Sequence, residues 1–285
     1  MVANTLAYCQ RLGTGISQLL RSLPLVWDAY LYFWRFYRGV ASCRGAFPNF
    51  ASAKAMAPRG ALVGYNQPSL STATSVSVLT ARRGPEQFDP LDYPVFFWLR
   101  QVTGHASRVF NLGGNVGTEY YAYRNKAGMP EEVQWCICEI PEVARAGEIL
   151  ASQKGVRNLT FTTRFDDASG YDILLTCGTL QYIEEDLSQL LRRLGQRPKH
   201  VLVNRVAMYD GRPFVTLQNL GYAFTPYCVR NVEEFVSRME ALGYRLVDAW
   251  RDSRINDIPF RPALTVRGYR GFYFTTEPHL RPETW

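Results

Sequence analysis

From residue 95 onward, short apolar runs alternate with helical patterns, and no other feature restricts the fold of this chain as tightly. Runs at 107–112, 133–140, 159–165, 171–176, 200–206, 245–250 and 271–276 read as strands, and segments 118–126, 143–152, 184–194 and 232–242 between most of them read as helices. Strands joined through helices run parallel, because the crossover returns the chain to the same end of the sheet and covers both its faces. No helix separates the last two runs, so the seventh strand is expected to be antiparallel. The expectation is an α/β fold: a seven-stranded, mostly parallel, doubly wound, Rossmann-like sheet with its last strand antiparallel and a helical extension in front. Along the chain this divides into a basic, aromatic helical extension at 1–60, a cap or linker helix segment at 61–94 and the main domain at 95–285.

Open sheets of this kind bind ligands at the carboxyl ends of their strands. The first strand ends in Asn111, Leu112, Gly113, Gly114, Asn115, Val116 and Gly117, where glycines allow a sharp turn and close backbone approach. Glu139 ends the second strand 22 residues beyond Gly117, where a carboxylate can accept from both hydroxyls of a ribose. Glu139 precedes Pro141, so a helix-start carboxylate is the alternative. A dinucleotide fingerprint needs G-x-G-x-x-G, and the register ending at Gly117 puts Leu112 at its first glycine, which disfavours a nicotinamide enzyme.

The blocks VFNLGGNVGTEYYAYR, WCICEIPEV, DILLTCGTLQYIEE, HVLVNRVAMYDGRPFVTLQNLG and GYRGFYF, with GVASCRGAF and LVGYN ahead of them, resemble a group of class I S-adenosylmethionine-dependent methyltransferases over residues 39–276. That group is often associated with bacterial polysaccharide or secondary-metabolite gene sets. The resemblance implies the seven-stranded methyltransferase fold and S-adenosylmethionine as cofactor. It places the methionine portion along Asn111, Gly113, Gly114 and Gly117, the ribose at Glu139, the adenine beside Asp166 and Asp167, and the sulfonium and acceptor over the loop from Thr176 and Cys177 to Tyr182. Asn111 departs from the group's pattern, since Asp or Glu usually stands there; an amide oxygen still accepts from an ammonium, but the charge must come from another carboxylate or be lost.

The chemistry implied is methyl transfer, most readily to oxygen of a small molecule or a glycan precursor. Positioning supplies most of the catalysis of such a displacement, and a hydroxyl acceptor also needs a base within reach. His105 precedes the first strand, His200 opens the fifth and His279 lies in the tail, so none is expected at the carboxyl edge. Tyr182, Arg205 and Asp210 are the catalytic candidates there: Tyr182 as a base or pocket wall, Arg205 as a clamp on an anionic acceptor or as the partner of Asp210. The stretches 208–230 and 251–267 and the segment around Tyr65 read as an acceptor lid. A catalytically weak, methyltransferase-like protein that binds a partner is the competing class.

Charge is concentrated at the front. Residues 1–60 hold seven basic side chains against Asp28 alone, in a chain of net charge +7, which favours an anionic acceptor. Trp27, Tyr30, Phe33, Trp34 and Tyr37 recur at helical spacing in 14–40, a segment expected to break near Pro24 and stop at Gly39. This aromatic face is expected to pack on the main domain or a second subunit, or to rest on an anionic membrane surface. No nucleic-acid motif accompanies the charge. The apolar stretch 23–34 is too short for a bilayer, which takes about 20 residues, and no secretory pattern opens the chain. Six scattered cysteines, Cys136 and Cys138 on one strand face among them, read as reduced thiols rather than a metal site or disulfide framework. The chain reads as cytoplasmic.

Overall fold

The computed structural model describes residues 22–38, 41–65, 86–104, 107–124, 126, 130 and 132–278. Cys9, His105, His279, Gly39 and the front of the 14–40 segment lie outside these residues, as does most of the 61–94 segment up to residue 85. Two compact units are present, and both are discontinuous in sequence: the smaller comprises residues up to 64 with 214–227 and 255–266, the larger the remainder.

The larger unit holds the expected sheet. Its strands, numbered with the others of the chain, are β2 (Arg108–Leu112), β3 (Gln134–Cys138), β4 (Leu159–Thr162), β5 (Ile173–Cys177), β6 (His200–Val206), β10 (Arg245–Arg251) and β13 (Arg270–Thr275), in the order β10-β13-β6-β5-β2-β3-β4. β2 pairs in parallel with β3 and β5, β3 with β4 and β5 with β6, whereas β13 runs antiparallel to β6 and β10. The chain reverses direction outward from β2, which makes the carboxyl ends of β2 and β5 the switch point.

Alternation along the strands gives the sheet two apolar faces. Phe110, Leu112, Cys136, Cys138, Leu174, Val201, Val203, Phe272 and Phe274 form one core with Leu187, Leu190 and Leu191 of a helix over Leu187–Arg192 and with Phe235 and Met239 of another over Val232–Glu240. Cys136 and Cys138 therefore do share a face, and both are free thiols. On the opposite face, the ring of Trp98 from the helix Tyr93–Val102 packs on Tyr273, and Tyr120 from Thr118–Arg124 packs on Trp135. Gly147 of the helix Pro141–Gln153 lets Phe161 lie against it: a Cβ there would be 2.2 Å from the ring. Helices thus cover both faces, as the alternation requires.

The smaller unit corrects two expectations. Much of 208–230 is strand rather than lid loop: β1 (Ser42–Phe47) pairs antiparallel with β8 (Phe214–Asn219), and β9 (Phe224–Asn231) follows. Among the described residues the aromatic helix begins at Pro24, which suits the first helical position. It runs over Pro24–Tyr30, loosens into a π turn at Leu31–Arg35 and closes with Phe36–Arg38. The π turn advances the register by one residue. Trp27, Leu31 and Phe36 are buried as a result, while Phe33, Trp34 and Tyr37 are exposed, so the aromatic residues do not share one packed face.

Candidate functional site

Asn111, next to last in β2, is fully buried, and its Nδ2 donates toward Oε2 of Glu119 (3.5 Å) in the first turn of the following helix. Oδ1 of Asn111 has no hydrogen-bond partner. The glycine turn is shaped by its own neighbours. Gly113 has φ +77°, and a Cβ on it would lie 2.0 Å from Oγ1 of Thr179; one on Gly114 would meet Asn111 at 2.4 Å; Gly117, at φ +110°, makes way for the ring of Tyr121. These glycines bring Asn111, Thr179 and Tyr121 close to the backbone.

Glu139 follows β3 and faces this turn. Its Oε1 accepts from the N–H of Asn115 and its Oε2 from that of Ile140, each at 3.0 Å. Burial pushes its carboxyl up to about 7, against the opposing pull of the two N–H groups. Asn115 takes a left-handed conformation, φ +54°, that turns its N–H toward the carboxylate.

Arg205 takes partners other than Asp210. A bulge at the end of β6 shifts its register with β13 and puts Arg205 at φ +59°, aiming the guanidinium inward. Its Nη2 donates to Oε1 of Glu119 (2.6 Å) and its Nε lies 3.5 Å from Oδ1 of Asp92. Asp92 also accepts from Nδ2 of Asn204 (2.9 Å), whose Oδ1 accepts from Nε1 of Trp250 (2.8 Å). Arg205 is thus ion-paired with two buried carboxylates, though its Nε has no hydrogen-bond partner, and it does not pair with Asp210, which is exposed and 3.7 Å from Arg270. Burial raises the Glu119 carboxyl; Arg205 opposes this and Asp92 adds to it.

Thr176 is fully buried at the end of β5, with an unpartnered Oγ1, and Cys177 beside it is a buried thiol pushed up by desolvation. Tyr182 is half-buried against the ring of Tyr65, with centroids 5.4 Å apart. Asp167 accepts from Thr162 (2.5 Å) and lies near Arg164, while Asp166 faces Arg193; both are exposed. His200 is buried at the amino end of β6, as expected, with Nδ1 3.0 Å from the Tyr273 hydroxyl, and burial lowers it. Among the described residues no group of three or more His, Cys, Asp or Glu is placed to hold a metal.

The sequence reading missed Glu119 and Asp92. An acidic residue just after a glycine turn ordinarily reads as a solvated helix start, and only the inward Arg205 distinguishes it.

No family model matches the chain, and no curated protein matches it. Solved structures resemble it. They include the mitomycin 7-O-methyltransferase MmcR (19% identity, 70% of this chain and 54% of that one, TM-score 0.41). The Burkholderia thailandensis 1,6-didemethyltoxoflavin-N1-methyltransferase, with S-adenosylhomocysteine bound, is another (17%, 72% and 87%, 0.45). A third is the O-methyltransferase NcsB1 of neocarzinostatin biosynthesis, in complex with S-adenosylmethionine (15%, 73% and 59%, 0.46). The chain spans about half the length of the first of these.

Proposed function

We propose that this chain is an S-adenosylmethionine-dependent methyltransferase acting on oxygen of a small molecule or glycan precursor. The observation that carries the reading is the hydrogen bond from the Asn115 N–H to Oε1 of Glu139 (3.0 Å), which joins the glycine turn after β2 to the carboxylate after β3 at the switch point of the sheet. The residues present suit the cofactor. Asn111 offers a buried, unpartnered carbonyl oxygen to an ammonium, Thr176 an unpartnered hydroxyl, and Glu139 keeps lone pairs for the ribose hydroxyls.

When bound, the cofactor supplies an electrophilic methyl on sulfur. The protein's part is to hold the acceptor oxygen in line with it and to receive the hydroxyl proton. Tyr182, half-buried and ringed by Tyr65, is assigned to the acceptor wall, and Asp210, exposed beside Arg270, is the remaining candidate for the proton. Arg205 is withdrawn as an acceptor clamp because its guanidinium is buried and ion-paired with Glu119 and Asp92. An anionic acceptor then rests on the basic excess of residues 1–60 alone.

Calorimetry with S-adenosylmethionine and S-adenosylhomocysteine tests the assignment. Stoichiometric binding is expected; no heat with either would favour the partner-binding alternative.

The exposed side chains Leu25, Phe33, Trp34 and Tyr37, interleaved with Arg35 and Arg38, suit an anionic membrane surface at the cytoplasmic face. No described helix is long and apolar enough to cross a membrane. Salt-sensitive sedimentation with anionic vesicles, reduced in Trp34→Ala, is expected; salt-independent self-association instead would assign the face to a homodimer.

A further inference from the structure

Phe260 takes a backbone conformation that a phenylalanine seldom occupies. Residues 258–261 form a turn closed by the N–H of Arg261 on the carbonyl of Ile258 (3.0 Å), with Pro259 second and Phe260 third at φ +59°. A left-handed third position behind a proline is where turns favour glycine, so the ring is kept against local strain. Burial does not account for it: Ile258 and Pro259 are buried, whereas Phe260 is 47% exposed and Arg261 beside it is exposed. The Phe260 ring meets Tyr32 edge-on, with centroids 5.6 Å apart, and Tyr32 meets Phe33 at 4.9 Å. The tip of this turn therefore extends the exposed face of the aromatic helix, on which Phe33 is 68% and Trp34 53% exposed.

That surface is cationic. Among the described residues of the smaller unit, Arg35, Arg38, Arg44, Lys54, Arg59 and Arg261 stand against Asp28 and Asp257, and Asp257 accepts from Nε1 of Trp27 (3.3 Å). Arg38 lies over the ring of Trp34 (4.2 Å), and Arg44 over those of Phe36 (4.4 Å) and Tyr32 (4.6 Å). Guanidinium groups held on aromatic rings beside exposed apolar edges suit the boundary where acyl chains meet phosphates, with the rings at headgroup level and the cations on the phosphates. A second copy of the same face would instead bring like charges together. We propose that the Phe260 turn is a second anchor to an anionic lipid bilayer, entering it beside Phe33 and Trp34 while Arg261 pairs with headgroup phosphate. The inference rests on the membrane reading of the helix given above and deepens it, because it adds a turn remote from the helix in sequence.

The test uses the full chain and phosphatidylcholine vesicles prepared with and without phosphatidylglycerol, read by sedimentation. Phe260→Gly removes the ring and suits the turn. It is expected to bind phosphatidylglycerol vesicles about tenfold more weakly, with a urea midpoint equal to or above that of wild type. Phe260→Trp, which keeps both ring and strain, is expected to bind within about threefold of wild type. Arg261→Glu, exposed at the tip, is expected to bind at least about tenfold more weakly. Wild-type affinity in Phe260→Gly or Arg261→Glu, or Phe260→Trp as weak as Phe260→Gly, overturns the inference and leaves the helix as the anchor. So does a lower urea midpoint for Phe260→Gly, which would assign the ring to packing on Tyr32. Wild-type protein that ignores phosphatidylglycerol vesicles, or that pellets without any, overturns the membrane reading and this inference together, and neither result touches the cofactor reading.

Discussion

Thr179 occupies the space that any side chain on Gly113 would need: its Oγ1 lies 2.0 Å from the Cβ position of residue 113 and 3.3 Å from the Gly113 carbonyl oxygen. The loop after β5 is thereby keyed into the turn after β2. Gly113→Val should destabilise the protein by about 2 to 4 kcal/mol, combining left-handed strain with the clash. Urea unfolding measures it. Adding Thr179→Gly should recover the steric part and leave the conformational part; no recovery would show that the clash is not the cause.

Glu139 links stability and binding to pH in opposite directions. Its carboxyl is raised from 4.5 to about 7 in the folded state, so the folded state holds the proton more tightly than the unfolded chain. Its stabilising contribution is full below pH 4.5 and is lost as pH rises through about 7. Binding of S-adenosylhomocysteine should instead strengthen across that upper range, as the carboxylate forms to accept from the ribose. Glu139→Gln should flatten both trends and weaken binding by roughly tenfold. Unfolding and titration series between pH 5 and 8 read the two effects separately.

His200 is held neutral by burial, which lowers it from its usual value of 6.5, so its contribution to stability is full above pH 6.5 and declines as pH falls below it. His200→Gln should remove that part of the acid sensitivity. Turnover should not change, because the ring contacts Tyr273 and Thr275 at the end of the sheet away from the candidate site.

Phe36 and Phe33 make a paired test of the π turn. Phe36→Ala should cost about 3 to 5 kcal/mol, as for a fully buried ring. Phe33→Ala, exposed, should stay within about 0.5 kcal/mol. Equal costs would mean that the register shift is absent.

The seven-stranded sheet was legible because each strand is a run of apolar residues between turn signals, and β6 begins and ends where the run does. The smaller unit was not, because its pattern is hidden by burial of polar residues: Ser42, Thr216, Gln218 and Asn219 are all buried, so β1 and β8 read as loop. The register of the aromatic helix depends on a π turn that spacing does not reveal. At the site, the turn and Glu139 follow from spacing, whereas the inward aim of Arg205 follows from a bulge, and without that aim Glu119 and Asp92 look like ordinary acidic residues. Local pattern specifies strands; which buried charges meet is decided by tertiary geometry.

A crystal structure of the chain with S-adenosylhomocysteine tests the central claim most directly. The account predicts the ribose hydroxyls on Glu139 and the ammonium within hydrogen-bond distance of Asn111 Oδ1, with Glu119 still bonded to Arg205. Ligand bound elsewhere, or a crystal soaked at saturating concentration that shows Asn111 and Glu139 without it, would contradict the account.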